Sequence, residues 1–261
     1  KGRKGLEKYR TFTVVRKRAM TRPEITIFND RYSLFASAAD RFIDIGARAI
    51  RERSRFIVVL SGGSTPESLY SLLATEAYRN RIAWERVVFL FGDERNVQSD
   101  DERSNFRLAN RTLFGPLAIP PGNIHRWMTE LADPAETADR YDRLLSDLTG
   151  PIDLCLLGIG KDGHTASLFP DTAAINECDR LAVSNWVPQL GVIRFTMTFP
   201  AINASSEILF VVSGASKAKA VMKAIAGPPD AITCPASGVR PISGSLTWLL
   251  DEEAGSLVSG R

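Results

Sequence analysis

Apolar positions along the chain follow two alternating rhythms. Short unbroken runs at 25–28, Phe56–Leu60, Val87–Phe91, Leu154–Leu157 and Glu207–Val212 have the length and composition of strands buried on both faces. Between them lie stretches with apolar side chains three and four apart. Residues 32–52 carry Leu34, Phe35, Ala38, Ala39, Phe42, Ile43, Ala49 and Ile50, and a second pattern runs through Leu69, Leu72 and Leu73. Another helix is expected to end near Phe114, and 134–148 reads as a helix with a solvated face. Residues 181–186 and 194–199 alternate like strands, His125 sits in a possible short strand as a structural residue, and 235–250 is read as a tail. Buried strands alternating with helices predict an α/β fold: a mostly parallel sheet with helices on both faces. Pro116, Pro120 and Pro121 mark a loop rather than a domain linker, and there is no internal repeat.

The chemistry gathers where strands end. After Leu157 the chain reads Gly158-Ile159-Gly160-Lys161-Asp162-Gly163-His164-Thr165-Ala166-Ser167. A glycine-rich break carrying an acid, an imidazole and hydroxyls at the carboxyl end of a buried strand is where an α/β sheet places its site. The bland reading is a structural turn with Asp162 as a helix cap, but His164 is one of only two histidines. After Leu60 comes Ser61-Gly62-Gly63-Ser64-Thr65-Pro66, with Pro66 in the first helical turn and Thr65 or Ser64 as its cap. Backbone N–H groups and the positive helix end make that turn a candidate phosphate site. It is neither a dinucleotide fingerprint nor a Walker loop. After Phe91 come Asp93, Glu94 and Arg95, costly to bury unpaired, so they are expected in a polar crevice or paired with one another. The lysines after Gly214 read as a solvated helix face, with Lys217 in the first turn, within reach of an anion over the strand ends.

Charge changes this picture only at one end. The net charge is +3, but residues 1–19 hold eight cations and a single acid; removing them from totals of 33 and 30 leaves −4 for the body. Residues 1–19 are therefore expected to be a basic extension, disordered or non-native, since Met20 would serve as a start before the first strand; 20–261 is expected to be one domain. Three cysteines without metal-ligand spacing fit buried thiols in a reducing compartment. No apolar run approaches the ~20 residues of a membrane span.

Together these stretches resemble the 6-phosphogluconolactonase family, within the larger glucosamine-6-phosphate isomerase/deaminase-like group. The matching segments are SGGSTP at 61–66, GDER at 92–95 with Ser104-Asn105, 153–170, RFTMT at 194–198, GASKA at 214–218 and the Gly-Ser-Leu-Thr-Trp core of 241–251. They spread over about 25–253, and the Gly-x-Gly-x-Asp-Gly-His-Thr-Ala-Ser-Leu-Phe-Pro run is the most specific. The resemblance implies a Rossmann-like, NagB/RpiA/CoA-transferase-like fold. It also implies hydrolysis of 6-phospho-D-glucono-1,5-lactone, the second step of the oxidative pentose phosphate pathway, without metal or organic cofactor. Its phosphate loop maps to Gly62, Gly63, Ser64 and Thr65, its basic ligands to Arg95, Arg194 and Lys217, and its general base to His164 beside Asp162. Asp93 joins the substrate-binding set, and Arg95 and Glu94 the catalytic set, with Asp162 or Glu94 orienting the imidazole. The expected partner is the sugar phosphate lactone alone, with no nucleic acid and no membrane. The expected setting is a cytoplasmic monomer or weak homo-oligomer.

A lactone is an activated ester, so water needs only a base and stabilisation of the developing oxyanion. An acyl-enzyme through Ser167 is disfavoured because no serine sits in a Gly-x-Ser-x-Gly elbow. The nearest rival is an amino-sugar-phosphate deaminase or isomerase. That branch carries a glutamate five residues after the histidine, where this chain has Phe169, and usually a tyrosine where it has Arg95. Other rivals are a sugar-phosphate sensor that binds without turnover, and nucleic-acid binding through 1–19, which would be salt-sensitive.

Overall fold

The computed structural model describes residues 23–258. The basic stretch 1–19 lies outside them. Strand β1 (Glu24–Phe28) leads through α1 (Arg31–Arg53) to β2 (Phe56–Leu60), then α2 (Ser64–Leu73), the short α3 (Glu76–Arg79) and β3 (Val87–Phe91). Asp30 opens α1 by accepting the Ser33 N–H at 2.7 Å, and Ser54, at φ 62°, closes it. Its apolar stripe, Leu34, Ala38, Phe42, Ile45 and Ala49 among it, is buried. A three-residue β4 (Asp93–Arg95) follows directly, then α4 (Asn105–Ala109), which continues as a π-helical turn over Asn110–Phe114. Helix α5 (Pro134–Ser146) and β5 (Leu154–Leu157) come next. A hairpin of β6 (Ala182–Val187) and β7 (Val192–Met197), α6 (Phe199–Asn203), β8 (Glu207–Val212), α7 (Ala218–Ala226), β9 (Ser245–Asp251) and α8 (Glu252–Gly255) complete the described chain.

Six strands form an all-parallel sheet in the order β1-β9-β8-β5-β2-β3. The steps from β1 to β2 and β2 to β3 run one way across it. Those from β3 to β5, β8 and β9 run back. Right-handed crossovers then put α1 and α2 on one face and α5 and α7 on the other. The reversal falls between the neighbours β2 and β5, so a crevice opens over their carboxyl ends. Those two ends carry the two glycine-rich turns.

Several elements depart from the expectations. Segments 181–186 and 194–199 do form strands, but β6 and β7 make a separate antiparallel sheet with β4, in the order β4-β7-β6, and Phe199 opens α6. The segment read as a tail contains β9, which lies inside the parallel sheet between β1 and β8. His125 is not in a strand; it follows an isolated bridge at Ile124 and is half-buried, which lowers its pKa. Cys155 and Cys234 are buried as expected, the Cys155 thiol pushed up to about 12, whereas Cys178 is exposed. Asp162 caps no helix: 158–172 is a series of turns with none in it. The core is closed by aromatic pairs such as Phe210 on Trp248, 3.8 Å between centroids.

Two buried polar groups fasten strand ends near the crevice. The Tyr70 hydroxyl on α2 accepts the Ser61 N–H at 3.0 Å and donates to the Ser61 carbonyl at 2.7 Å. Asp251, at the end of β9, accepts the N–H groups of Gly214 at 2.9 Å and Ala254 at 2.8 Å and the Ser213 hydroxyl. Burial alone would raise its pKa, but these donors and Arg31 more than offset that and hold it below the ordinary range. A depressed folded-state pKa stabilises above the unfolded value near 3.9 and loses that contribution as acidification passes the folded value. Asp251→Asn is therefore expected to cost about 1–3 kcal/mol at pH 7 and to flatten the loss of stability below about pH 4. Denaturant melts across pH check this; equal acid sensitivity in the two proteins would refute it.

Candidate active site

The crevice, about 250 Å³, is lined by Ser61 to Pro66, Asp93, Arg95, Gly158 to Gly160, His164, Ala166, Val211 to Ser213 and Lys217. Four strand ends thus converge on it, from β2, β3 with its continuation β4, β5 and β8.

From β2, Gly63 takes φ 108° and is itself the residue preceding α2, with no side-chain cap. Ser64 and Thr65 are not the cap, as their residue types predicted, but the first two helical residues. Their N–H groups have no partner inside the helix, so the first turn of α2 presents donors to the crevice. Gly62 is required by close approach: a Cβ there would fall 1.7 Å from Asn105 Oδ1.

From β5, the Gly160 N–H donates to the His164 carbonyl at 2.8 Å, and the Thr165 hydroxyl to the Gly158 carbonyl at 2.9 Å. These bonds fold the loop so that His164 Nδ1 meets Asp162 Oδ1 at 2.6 Å. In a neutral imidazole, a carboxylate at Nδ1 favours the tautomer with its proton there and the lone pair on Nε2. The imidazole holds Asp162 below the ordinary carboxylate range, against a burial effect that would raise it. Phe169 stacks on the same imidazole with centroids 4.1 Å apart.

Strand β4 divides its side chains by the two-residue period. Asp93 and Arg95 line the crevice, whereas Glu94 does not. The Glu94 carboxylate accepts the N–H groups of Arg95, Asn105 and Phe106 at 2.8–2.9 Å and the Ser104 hydroxyl at 3.2 Å. Burial raises its pKa, although those backbone bonds oppose the rise. It anchors the start of α4 and is committed away from His164, contrary to the expectation that it orients the base. Asp93 accepts the Ser167 hydroxyl at 2.7 Å and Asn105 Nδ2 at 3.1 Å, tying β4 to the His164 loop.

Two cations differ in placement. Lys217 ends a 3₁₀ turn before α7 and lines the crevice; burial lowers its pKa, and nearby Lys161 adds to the effect. Arg194 is not a lining residue. It stands opposite Arg95 across the β4–β7 ladder, and its Nε has no hydrogen-bond partner among the described residues. Burial and Arg95 press its pKa down. Among the described residues, no group of three or more His, Cys, Asp or Glu side chains could hold a metal ion, and no helix is long and apolar enough to cross a membrane. A larger opening, about 640 Å³, lies at the opposite strand ends beside Arg53, Arg55 and Asp153, but it contains no histidine.

Residues 29–248 match the model of the family described as glucosamine-6-phosphate isomerases/6-phosphogluconolactonase. The chain belongs to this family. A 6-phosphogluconolactonase of Nostoc sp. is 37% identical over 243 residues, covering 90% of this chain and 98% of that one. One from Synechocystis sp. is 41% identical over 216 residues, covering 80% and 87%. The crystal structure of a devB protein superposes with a TM-score of 0.80 at 34% identity, covering 89% of this chain and 98% of that one.

The family description spans two chemistries, so the lining residues carry the distinction between them. Sequence reasoning located His164, Asp162, Arg95, Lys217 and the Gly62–Thr65 turn, all of which meet at the crevice or beside it. It missed the Ser167–Asp93 bond and the role of Asn105, which depend on which loops meet. The two-residue period of 93–95 was the available signal that Glu94 points away from Asp93 and Arg95.

Proposed function

We propose that this chain hydrolyses 6-phospho-D-glucono-1,5-lactone to 6-phospho-D-gluconate, in the oxidative pentose phosphate pathway. The observation that carries the reading is the 2.6 Å Asp162–His164 pair at a crevice lined by Lys217, Arg95 and the first turn of α2. The names of the relatives support it. A neutral Nε2 accepts a proton from water as its oxygen bonds to the lactone carbonyl carbon, and Asp162 stabilises the imidazolium. As the oxyanion collapses, the bond from that carbon to the ring oxygen breaks, and Nε2 returns the proton to the departing ring oxygen. The α2 donors and Lys217 hold the phosphate, with Arg95 adding positive charge at the oxyanion and Arg194 beside it. Phe169 puts an apolar ring where the deaminase branch places an acid, which favours the lactonase.

The test generates the lactone in situ from glucose 6-phosphate with its dehydrogenase and subtracts spontaneous hydrolysis. Acceleration is expected. Binding of 6-phosphogluconate without acceleration would replace this reading with that of a sensor. In the same assay Lys217→Ala is expected to raise KM by about 10- to 100-fold, the loss of one charge-assisted contact, with a much smaller effect on kcat. Because the Lys217 pKa is lowered, its positive charge is lost at a lower pH than that of an ordinary lysine, near 10.4. KM should therefore climb early on the alkaline side, and Lys217→Arg should remove that climb. A KM independent of residue 217 would sink the phosphate assignment.

A further inference from the structure

Phe169 is 7% exposed, yet it lies outside the contiguous apolar core. Among the described residues its one aromatic ring partner is His164, with planes 26° apart and centroids 4.1 Å apart. Its backbone is held firmly. The Phe169 carbonyl accepts the Thr172 hydroxyl at 2.8 Å, and Thr172 Oγ1 in turn accepts Asn185 Nδ2 at 3.0 Å. The same Asn185 amide donates to the Ser167 carbonyl at 2.9 Å. Asn185 is a buried residue of β6, so the second sheet fastens the turn on both sides of Phe169.

A hydrogen bond at Nδ1 fixes one edge of an imidazole but leaves the ring free to swing about it, because the outer torsion of histidine is broad. A flat partner on the face removes that freedom. We propose that Phe169 is a positioning residue: stacked on His164, it stops the swing that the Asp162 bond allows and holds Nε2 in line with the crevice. This rests on His164 acting as the base in lactone hydrolysis. The shape of residue 169, rather than its volume, is therefore expected to set turnover.

Phe169→Leu, Phe169→Met and Phe169→Tyr are compared in the lactone assay, each well below its own melting temperature. Leu and Met fill the space without a flat face; Tyr keeps the face. The Leu and Met variants are expected to lose about 10- to 100-fold in kcat, the scale of a misplaced catalytic group, with KM nearly unchanged, and Tyr is expected to restore most of it. Phe169→Met serves if the leucine variant does not fold. Unchanged kcat in folded Leu or Met variants, with only a lower Tm, would mean that Phe169 is packing alone. Equal losses in all three would also overturn the proposal. A parent protein that does not accelerate hydrolysis overturns the functional reading and this inference with it, an outcome separate from the other two.

Discussion

His164→Ala is expected to lower kcat for lactone hydrolysis by about two to four orders of magnitude, the range contributed by a positioned general base. Affinity for 6-phosphogluconate should change little. The separation follows from where the groups come from: the imidazole sits on the β5 loop, whereas the proposed phosphate contacts sit at the end of β2 and beyond β8. His164 is partly exposed and outside the core, so its truncation opens no large cavity and the fold should persist. The check is kcat and KM in the coupled assay, with 6-phosphogluconate binding followed by calorimetry. Wild-type turnover in the variant would show that another group activates water.

Gly160→Ala should come close to the same loss without touching a titratable residue. A Cβ at 160 would lie 2.1 Å from His164 Nδ1 and 2.4 Å from Asp162 Oδ1, pressed against both ends of the bond between them. Both obstacles are side-chain ends, and pushing His164 off its Phe169 stack disturbs two residues outside the contiguous apolar core, so the stability cost is small. The catalytic cost is not: the pair is separated, and Nε2 loses both its tautomer and its direction. A kcat reduced by at least about 100-fold, with a melting temperature within a few degrees of the parent, is the expected result. A variant that retains its activity would show that the Asp162–His164 contact is dispensable.

The parts of this site that were legible in the sequence share a cause. Glycines and polar residues placed directly after buried strands stand out against apolar runs, and parallel sheets put such residues together at one edge. Hence His164, Asp162 and the Gly62–Thr65 turn could be named from pattern alone. What escaped depends on contacts between distant segments. Ser64 and Thr65 are favoured cap types, but the cap is Gly63, at positive φ, one residue before Ser64 and two before Thr65. Arg194 looked like a direct ligand, yet strand pairing seats it across from Arg95 rather than in the crevice lining. Ser245–Asp251 is apolar enough for a strand, but it follows a proline- and glycine-rich stretch that masked it. Strand order carries no local signal, so nothing near 245 marked it as an interior strand.

That interior position governs how the molecule is assembled. β1, the first strand of the described chain, pairs only with β9, the last. During synthesis, β2, β3, β5 and β8 can associate while β1 has no partner and the flank of β8 stays open to other chains. The first strand joins only after the last has emerged, a pairing across more than two hundred residues that makes closure of the sheet a late step. Because Asp251 at the end of β9 also fastens the Gly214 turn before Lys217, the crevice is expected to gain its β8 wall in that same step, so a nascent chain should stay inactive until β9 has emerged.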